Sequence, residues 1–97
     1  MVQFTEENGK LICSFSRRLD SANCAKWEEW LYKKVEGSKT PVVFDMKDVD
    51  YIASGFLRIC IKVLKEIGED NLSVINAHQN VKKIFKLAGI DRIITVK

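Results

Sequence analysis

One proline, one histidine and three cysteines in 97 residues leave little room for several kinds of chemistry. With His78 as the sole histidine, a Ser–His or Cys–His nucleophile pair would depend on a single residue in a loop or at a helix start. Cys13, Cys24 and Cys60 are odd in number, widely spaced and free of Cys-x-x-Cys pairing, and none stands at ligand spacing from His78. They are expected to be buried, reduced and inert, with no metal bound. Neither Gly-x-x-x-x-Gly-Lys-Ser/Thr nor Gly-x-Gly-x-x-Gly occurs, so the phosphate-cradling loops of nucleotide enzymes are missing, and no cofactor is expected. No apolar run approaches the roughly 20 residues that span a bilayer. The start, MVQFTEENGK, lacks the basic and apolar regions of a signal peptide. A cytoplasmic protein without membrane insertion is the expectation. The net charge of +3 is too mild to argue for nucleic acid.

What is present suits one globular domain over residues 1–97: 46% hydrophobic residues fill a core and 30% charged residues cover it. Val2 and Phe4 alternate with polar residues, Asn8-Gly9 signals a tight turn, and Leu11 to Phe15 reads as the return strand of a hairpin. A helix follows, with Asp20 or Ser21 as its cap. Cys24, Trp27, Leu31 and Val35 recur at spacings of three and four on one side, and Gly37 is the expected left-handed stop. Val42-Val43-Phe44 reads as a central strand buried on both faces, and Asp45 to Asp50 as a polar turn. Phe56 to Ile67 is a second helix. Its apolar face carries Phe56, Leu57, Cys60, Ile61, Val63, Leu64 and Ile67, opposite Arg58, Lys62 and Lys65. Leu72 to Ile75 reads as a strand. Val81, Ile84, Phe85 and Ala88 mark a third helix stopped by Gly89, and Ile93 to Val96 form the last strand. The order β-β-α-β-α-β-α-β predicts a single α/β domain with a mainly parallel mixed sheet and an N-terminal antiparallel hairpin.

Candidate chemistry is sparse. Asp45, Asp48 and Asp50 stand where open α/β sheets bind ligands and offer a weak Mg²⁺ site, against the plainer reading of an acidic turn. Lys82, Lys83 and Lys86 fit a solvated helix face, and Trp30 fits the border of the first helix, a place that suits partner surfaces, against the plainer reading of simple packing. The stretch YIASGFLRI, residues 51 to 59, is different. Ser54 can cap the second helix, and a phosphate on it would lie at the positive end of the helix dipole. The roughly −1.5 to −2 charge of such a phosphate would alter a docking surface without refolding the domain.

Three segments together carry a family likeness. SRRLDSANCAKWEEWL is similar to a Gly-Arg-Leu-Asp segment leading into a first helix, with Arg17 where glycine is usual. VVFDMKDVDYIASGFLRICIKVL is similar to a central strand, phosphorylation loop and second helix, and NVKKIFKLAGIDRIITV to a third helix and final strand. In this order and spacing the chain resembles the STAS domain family, the bacterial anti-sigma factor antagonists and their relatives. Aligned without gaps, Ser54 takes the position of the phosphorylated serine, Ala53 that of an aspartate and Phe56 that of a glycine; aligned on the glycine instead, Ala53 takes the phosphorylated position and no acceptor stands there. The resemblance implies a non-enzymatic module that binds an anti-sigma factor with serine kinase activity, with binding switched by phosphorylation at Ser54. It implies a partner surface of Ala53, Ser54, Gly55, Phe56 and Arg58. The chain ends at Lys97 without the additional C-terminal helix of many relatives, which implies an apolar surface open to a partner or a second copy. Two other readings compete: a phosphorylation-independent STAS scaffold in a larger regulatory or transport assembly, and a metal enzyme built on the Asp45, Asp48 and Asp50 turn.

Overall fold

The computed structural model describes residues 2–97. Its strands are β1 (Val2–Glu7), β2 (Lys10–Leu19), β3 (Val42–Ile52), β4 (Leu72–Ile75) and β5 (Thr95–Val96). Its helices are α1 (Ser21–Ser38), α2 (Ser54–Ile67) and α3 (Gln79–Leu87), with 3₁₀ turns at Glu69–Asn71 and Ile90–Arg92. The strands form one sheet in the order β1-β2-β3-β4-β5. β1 pairs antiparallel with β2, and every later neighbour is parallel. The expected α/β architecture is therefore the observed one.

Asn8 and Gly9 close the hairpin between the paired Glu7 and Lys10. Both have positive φ, 54° and 76°, as a two-residue turn of the I′ kind requires. From β2 onward the parallel strands step in one direction across the sheet. Right-handed crossovers then place all three helices on the same face. The core follows this rule. Cys24, Trp27, Leu31 and Val35 of α1, Phe56, Ile59, Cys60, Val63 and Leu64 of α2, and Val81 and Phe85 of α3 share one cluster with Leu11, Cys13, Phe15, Val42, Phe44, Leu72 and Val74. Val43 is buried but lies outside that cluster, because the pleat turns it to the other face. Ile12 pairs with Val43, and Ile75 with Asp45, along this second face, where Ser14 and Ser73 separate the aliphatic residues.

Aromatic rings occupy the centre of the helix-covered side. Phe15 lies 5.2 Å from Trp27, 5.1 Å from Phe44 and 5.2 Å from Phe56, centroid to centroid. Such edge and tilted contacts contribute beyond the apolar area they bury. The three cysteines are buried and free. Burial pushes the thiol of Cys13 up to about 12 and, with the Asp20 and Glu28 carboxylates adding to it, that of Cys24 to about 11; Cys60 is also pushed up by burial. All three stay protonated and unreactive at neutral pH.

Three sequence expectations need correction. Asp45 to Asp50 is not a turn, since β3 continues through it to Ile52. β2 advances from Leu11 to Leu19 while β3 advances from Val42 to Ile52, and the surplus residues of β3 are absorbed where the register shifts after Ser14 and after Arg17. β4 stops at Ile75, leaving the second half of β3 without a strand on that side. Side chains from the start of α3 replace it. His78 Nε2–H donates to the Lys47 carbonyl at 2.7 Å, and Asn80 Nδ2 donates to the Asp50 carbonyl at 2.6 Å. His78 is thus the N-cap residue of α3 by position and a strand substitute by contact. The second correction concerns Gly37, which lies inside α1; the left-handed residue is Lys39, with φ 54°. Thirdly, the final strand is shorter than Ile93–Val96, because Ile90–Arg92 winds into a 3₁₀ turn that buries Ile90.

Arg17 also adopts a left-handed conformation, φ 66°, at the second register shift of β2 against β3. A residue with a Cβ pays roughly 1–2 kcal/mol for this region, and glycine does not. Arg17→Gly is expected to raise unfolding free energy by about 1 kcal/mol in a urea titration, with an unchanged m-value; an equal or lower midpoint contradicts the strain. Phe56→Ala removes a fully buried ring from the aromatic centre. It is expected to cost about 3–5 kcal/mol in the same titration.

Candidate functional site

The stretch singled out in the sequence lies where β3 gives way to α2, beside the turn that joins β2 to α1. The pairing of Leu19 with Ile52 carries on for one more bond, from the Ala53 N–H to the Leu19 carbonyl at 3.0 Å. That bond joins an extended Ala53, φ −106° and ψ 171°, to β2, and the helix opens at Ser54, two residues before the expected Phe56. Ala53 is therefore the N-cap. Its carbonyl accepts from the Phe56 and Leu57 amides at 3.0 and 3.4 Å, but its methyl group cannot cap a free amide.

This overturns the expectation that Ser54 caps α2. Ser54 is the first helical residue, is exposed, and is not needed to finish the helix. Its hydroxyl thus stands at the positive end of α2, with no acidic residue in the first turn to share that position.

The neighbouring residues divide into supports and surface. Gly55 rests against the first turn of α1: a Cβ there would lie 3.3 Å from Ser21 Oγ and 3.7 Å from Ser21 Cα. Phe56, expected on the partner surface, is fully buried and packs against Phe15 and Phe44. As the third residue of α2 it points into the sheet, so it shapes the junction from below and presents no side chain to a partner. Arg58 is exposed, one turn beyond Ser54.

The β2–α1 turn supplies the other wall. Asp20 caps α1 by accepting from the Asn23 amide at 2.9 Å, while Asn23 Nδ2 donates to the Arg18 carbonyl at 2.8 Å. The Arg18 guanidinium lies 4.4 Å above the Tyr51 ring, a cation–π contact between neighbouring strands. The Ser21–Gly55 approach and the Arg18–Tyr51 pair were missed in the sequence. Both depend on the β2–β3 register, and only Asp20 gave a local signal.

An open groove of about 510 Å³ runs from Ser21 and Gly55 along α1 and α2, lined also by Arg58, Lys62 and Lys65. Glu28 and Tyr32 form its far side, where the Tyr32 hydroxyl donates to Glu28 Oε2 at 2.9 Å and Lys62 Nζ sits 4.3 Å from the Tyr32 ring centroid. Burial and then the bond to Glu28 push the Tyr32 hydroxyl above the ordinary phenol range.

The metal reading loses its geometry. Asp45, Asp48 and Asp50 are spread along a strand, and Asp45 Oδ1 is occupied by Asn76 Nδ2 at 3.0 Å and the Lys47 amide at 3.1 Å. Among the described residues no group of three or more His, Cys, Asp or Glu is placed to hold a metal ion. Lys82, Lys83 and Lys86 are exposed on α3. Trp30 is 61% exposed and meets Phe4 edge-on at 5.6 Å, away from the aromatic centre. No helix among the described residues is long and apolar enough to cross a membrane.

Comparison with known proteins places this geometry. The profile of the STAS domain matches residues 1–97. BtrV of Bordetella bronchiseptica, which carries the name of an anti-sigma factor antagonist, is 31% identical over 86 residues, covering 84% of this chain and 72% of BtrV. The anti-sigma factor antagonist domain protein of Planctomyces limnophilus superposes with a TM-score of 0.89 at 16% identity, over 98% of this chain and 87% of that one. The phosphorylated form of the Bacillus cell fate determinant SpoIIAA superposes with a TM-score of 0.70 at 12% identity, over 100% of this chain and 91% of that one. Fold, profile and sequence agree: the chain belongs to the STAS domain family.

Proposed function

We propose that this chain is a cytoplasmic anti-sigma factor antagonist of the partner-switching type. Unphosphorylated, it binds an anti-sigma factor with serine kinase activity; phosphorylation at Ser54 weakens that binding. It acts by binding and catalyses no reaction. The observation that carries the reading is the Ser54 hydroxyl: exposed, released from capping by Ala53, and seated on a junction braced by Gly55 against Ser21. A phosphate there would sit at the positive end of α2, and its charge would enter the partner surface with the fold untouched. Ala53, Ser54, Gly55 and Arg58 make up that surface, with Phe56 holding it from beneath. The likeness to BtrV and to SpoIIAA, a fold solved in phosphorylated form, supports the same reading.

Ala53 favours a second reading. It leaves the serine without a neighbouring carboxylate to orient it or a kinase, which suits a scaffold subunit that works without phosphorylation. The two readings part in one experiment. The chain is incubated with ATP and the anti-sigma kinase encoded nearest to it, then analysed by intact and peptide mass spectrometry, and the affinities of Ser54→Ala and Ser54→Asp for that kinase are measured. The switch reading expects one phosphate on Ser54, near-native affinity for Ser54→Ala and at least about tenfold weaker binding for Ser54→Asp, a loss of about 1.4 kcal/mol. An unmodified Ser54, with wild-type affinity for both variants, sinks the switch and leaves the scaffold.

A further inference from the structure

Ser54, Arg58, Lys62 and Lys65 follow one another along α2 at spacings of four, four and three, and all are exposed. They form one stripe, and its three cations line the groove between α1 and α2. The cations are not equivalent. Lys62 lies over the Tyr32 ring, whose hydroxyl holds Glu28. Arg58 stands near the positive end of α2, where the dipole disfavours a cation, and the first turn holds no acid to offset it. The next acid along the helix, Glu66, is two turns away and out of reach.

We propose that a phosphate on Ser54 is clasped by Arg58, and that this pairing withdraws the Arg58 cation from the groove. The inference rests on the reading of Ser54 as the phosphoacceptor. An anion four residues before a cation is the favourable order on a helix, with Cβ atoms about 6 Å apart. The planar guanidinium matches two phosphate oxygens at once, which an ammonium group does not. Phosphorylation then changes two things together: it adds negative charge at the junction and cancels the first cation of the stripe. A carboxylate of the partner that meets Arg58 in the unphosphorylated state loses its counter-ion.

Three other charged groups near the junction are engaged elsewhere. The Arg18 guanidinium lies over Tyr51, the Asp20 carboxylate accepts from the Asn23 amide, and Glu28 is bound by Tyr32. Lys62 and Lys65 lie two and three turns from Ser54.

Phosphoserine incorporated genetically at position 54 allows a test without any kinase. Its second ionisation is followed by ³¹P NMR from pH 4 to 8 in the wild-type background and in Arg58→Gln, Arg58→Lys, Lys62→Gln and Arg18→Gln. The helix end lowers the phosphate pKa below its usual value of about 6 in every background. Loss of Arg58 is expected to raise it by about half a unit, as an exposed pair with a doubly charged partner should. Arg58→Lys falls between the two, and Lys62→Gln and Arg18→Gln stay close to wild type. A wild-type titration curve for Arg58→Gln, or an equal shift from Lys62→Gln or Arg18→Gln, overturns the clasp. Either result leaves the reading of Ser54 to its own kinase experiment.

Discussion

The parallel pairing of β2 with β3 is the constraint on which the rest depends. It runs from Leu11 opposite Val42 to Leu19 opposite Ile52 and adds one final bond at Ala53. It brings Phe15 and Phe44 to the same place under α2, and it sets the starts of α1 and α2 side by side. The register shifts within it take up the extra length of β3, and Arg17 adopts a left-handed conformation at one of them. The last bond, Ala53 to Leu19, decides which residue opens α2. A one-residue change there would turn Ser54 from an exposed hydroxyl into a cap.

The junction is firm because it is packed from two directions. From below, Phe56 fills the aromatic centre; from the side, Gly55 lets the first turns of α1 and α2 meet at Ser21. Close packing of this kind resists small displacements, so charge added outside it acts on the surface before it acts on the fold. The polar capping bonds around Asp20 and Asn23 hold the neighbouring turn in the same way. A binding module suits this arrangement: packed support beneath, an exposed serine hydroxyl above, and a groove lined by Arg58, Lys62 and Lys65 beside it.

Local chemistry made much of this readable in the sequence. Asn8-Gly9 names its own turn because both residues tolerate positive φ, and the α1 stripe of Cys24, Trp27, Leu31 and Val35 is buried in full as its spacing demanded. The second half of β3 was hidden because its buried residues, Met46, Val49 and Ile52, are three apart, and strand alternation fails across a register shift. Ile59 was left out of the α2 face for a related reason: it completes a stripe broader than the one counted. Gly37 drew the helix end to itself, although Lys39 makes the left-handed turn. At the site, a serine at the junction of a strand and the second helix was legible. Its position in the helix was not, because a long-range backbone bond to Leu19 sets it. Phe56 was placed on the apolar face of α2 by its spacing and on the partner surface by its position in the motif, and the structure bears out the first.

The central claim is that phosphate at Ser54 changes the surface of the β3–α2 junction and leaves the packed domain alone. Amide chemical shifts of the chain with and without phosphoserine at position 54 test it most directly. The expected changes are confined to Tyr51 through Arg58 and to Leu19 through Asn23, while the amides of Phe15, Phe44, Val74 and Phe85 stay in place. Changes of similar size throughout those core positions would mean that the phosphate refolds the domain, and would contradict a switch that works by surface charge.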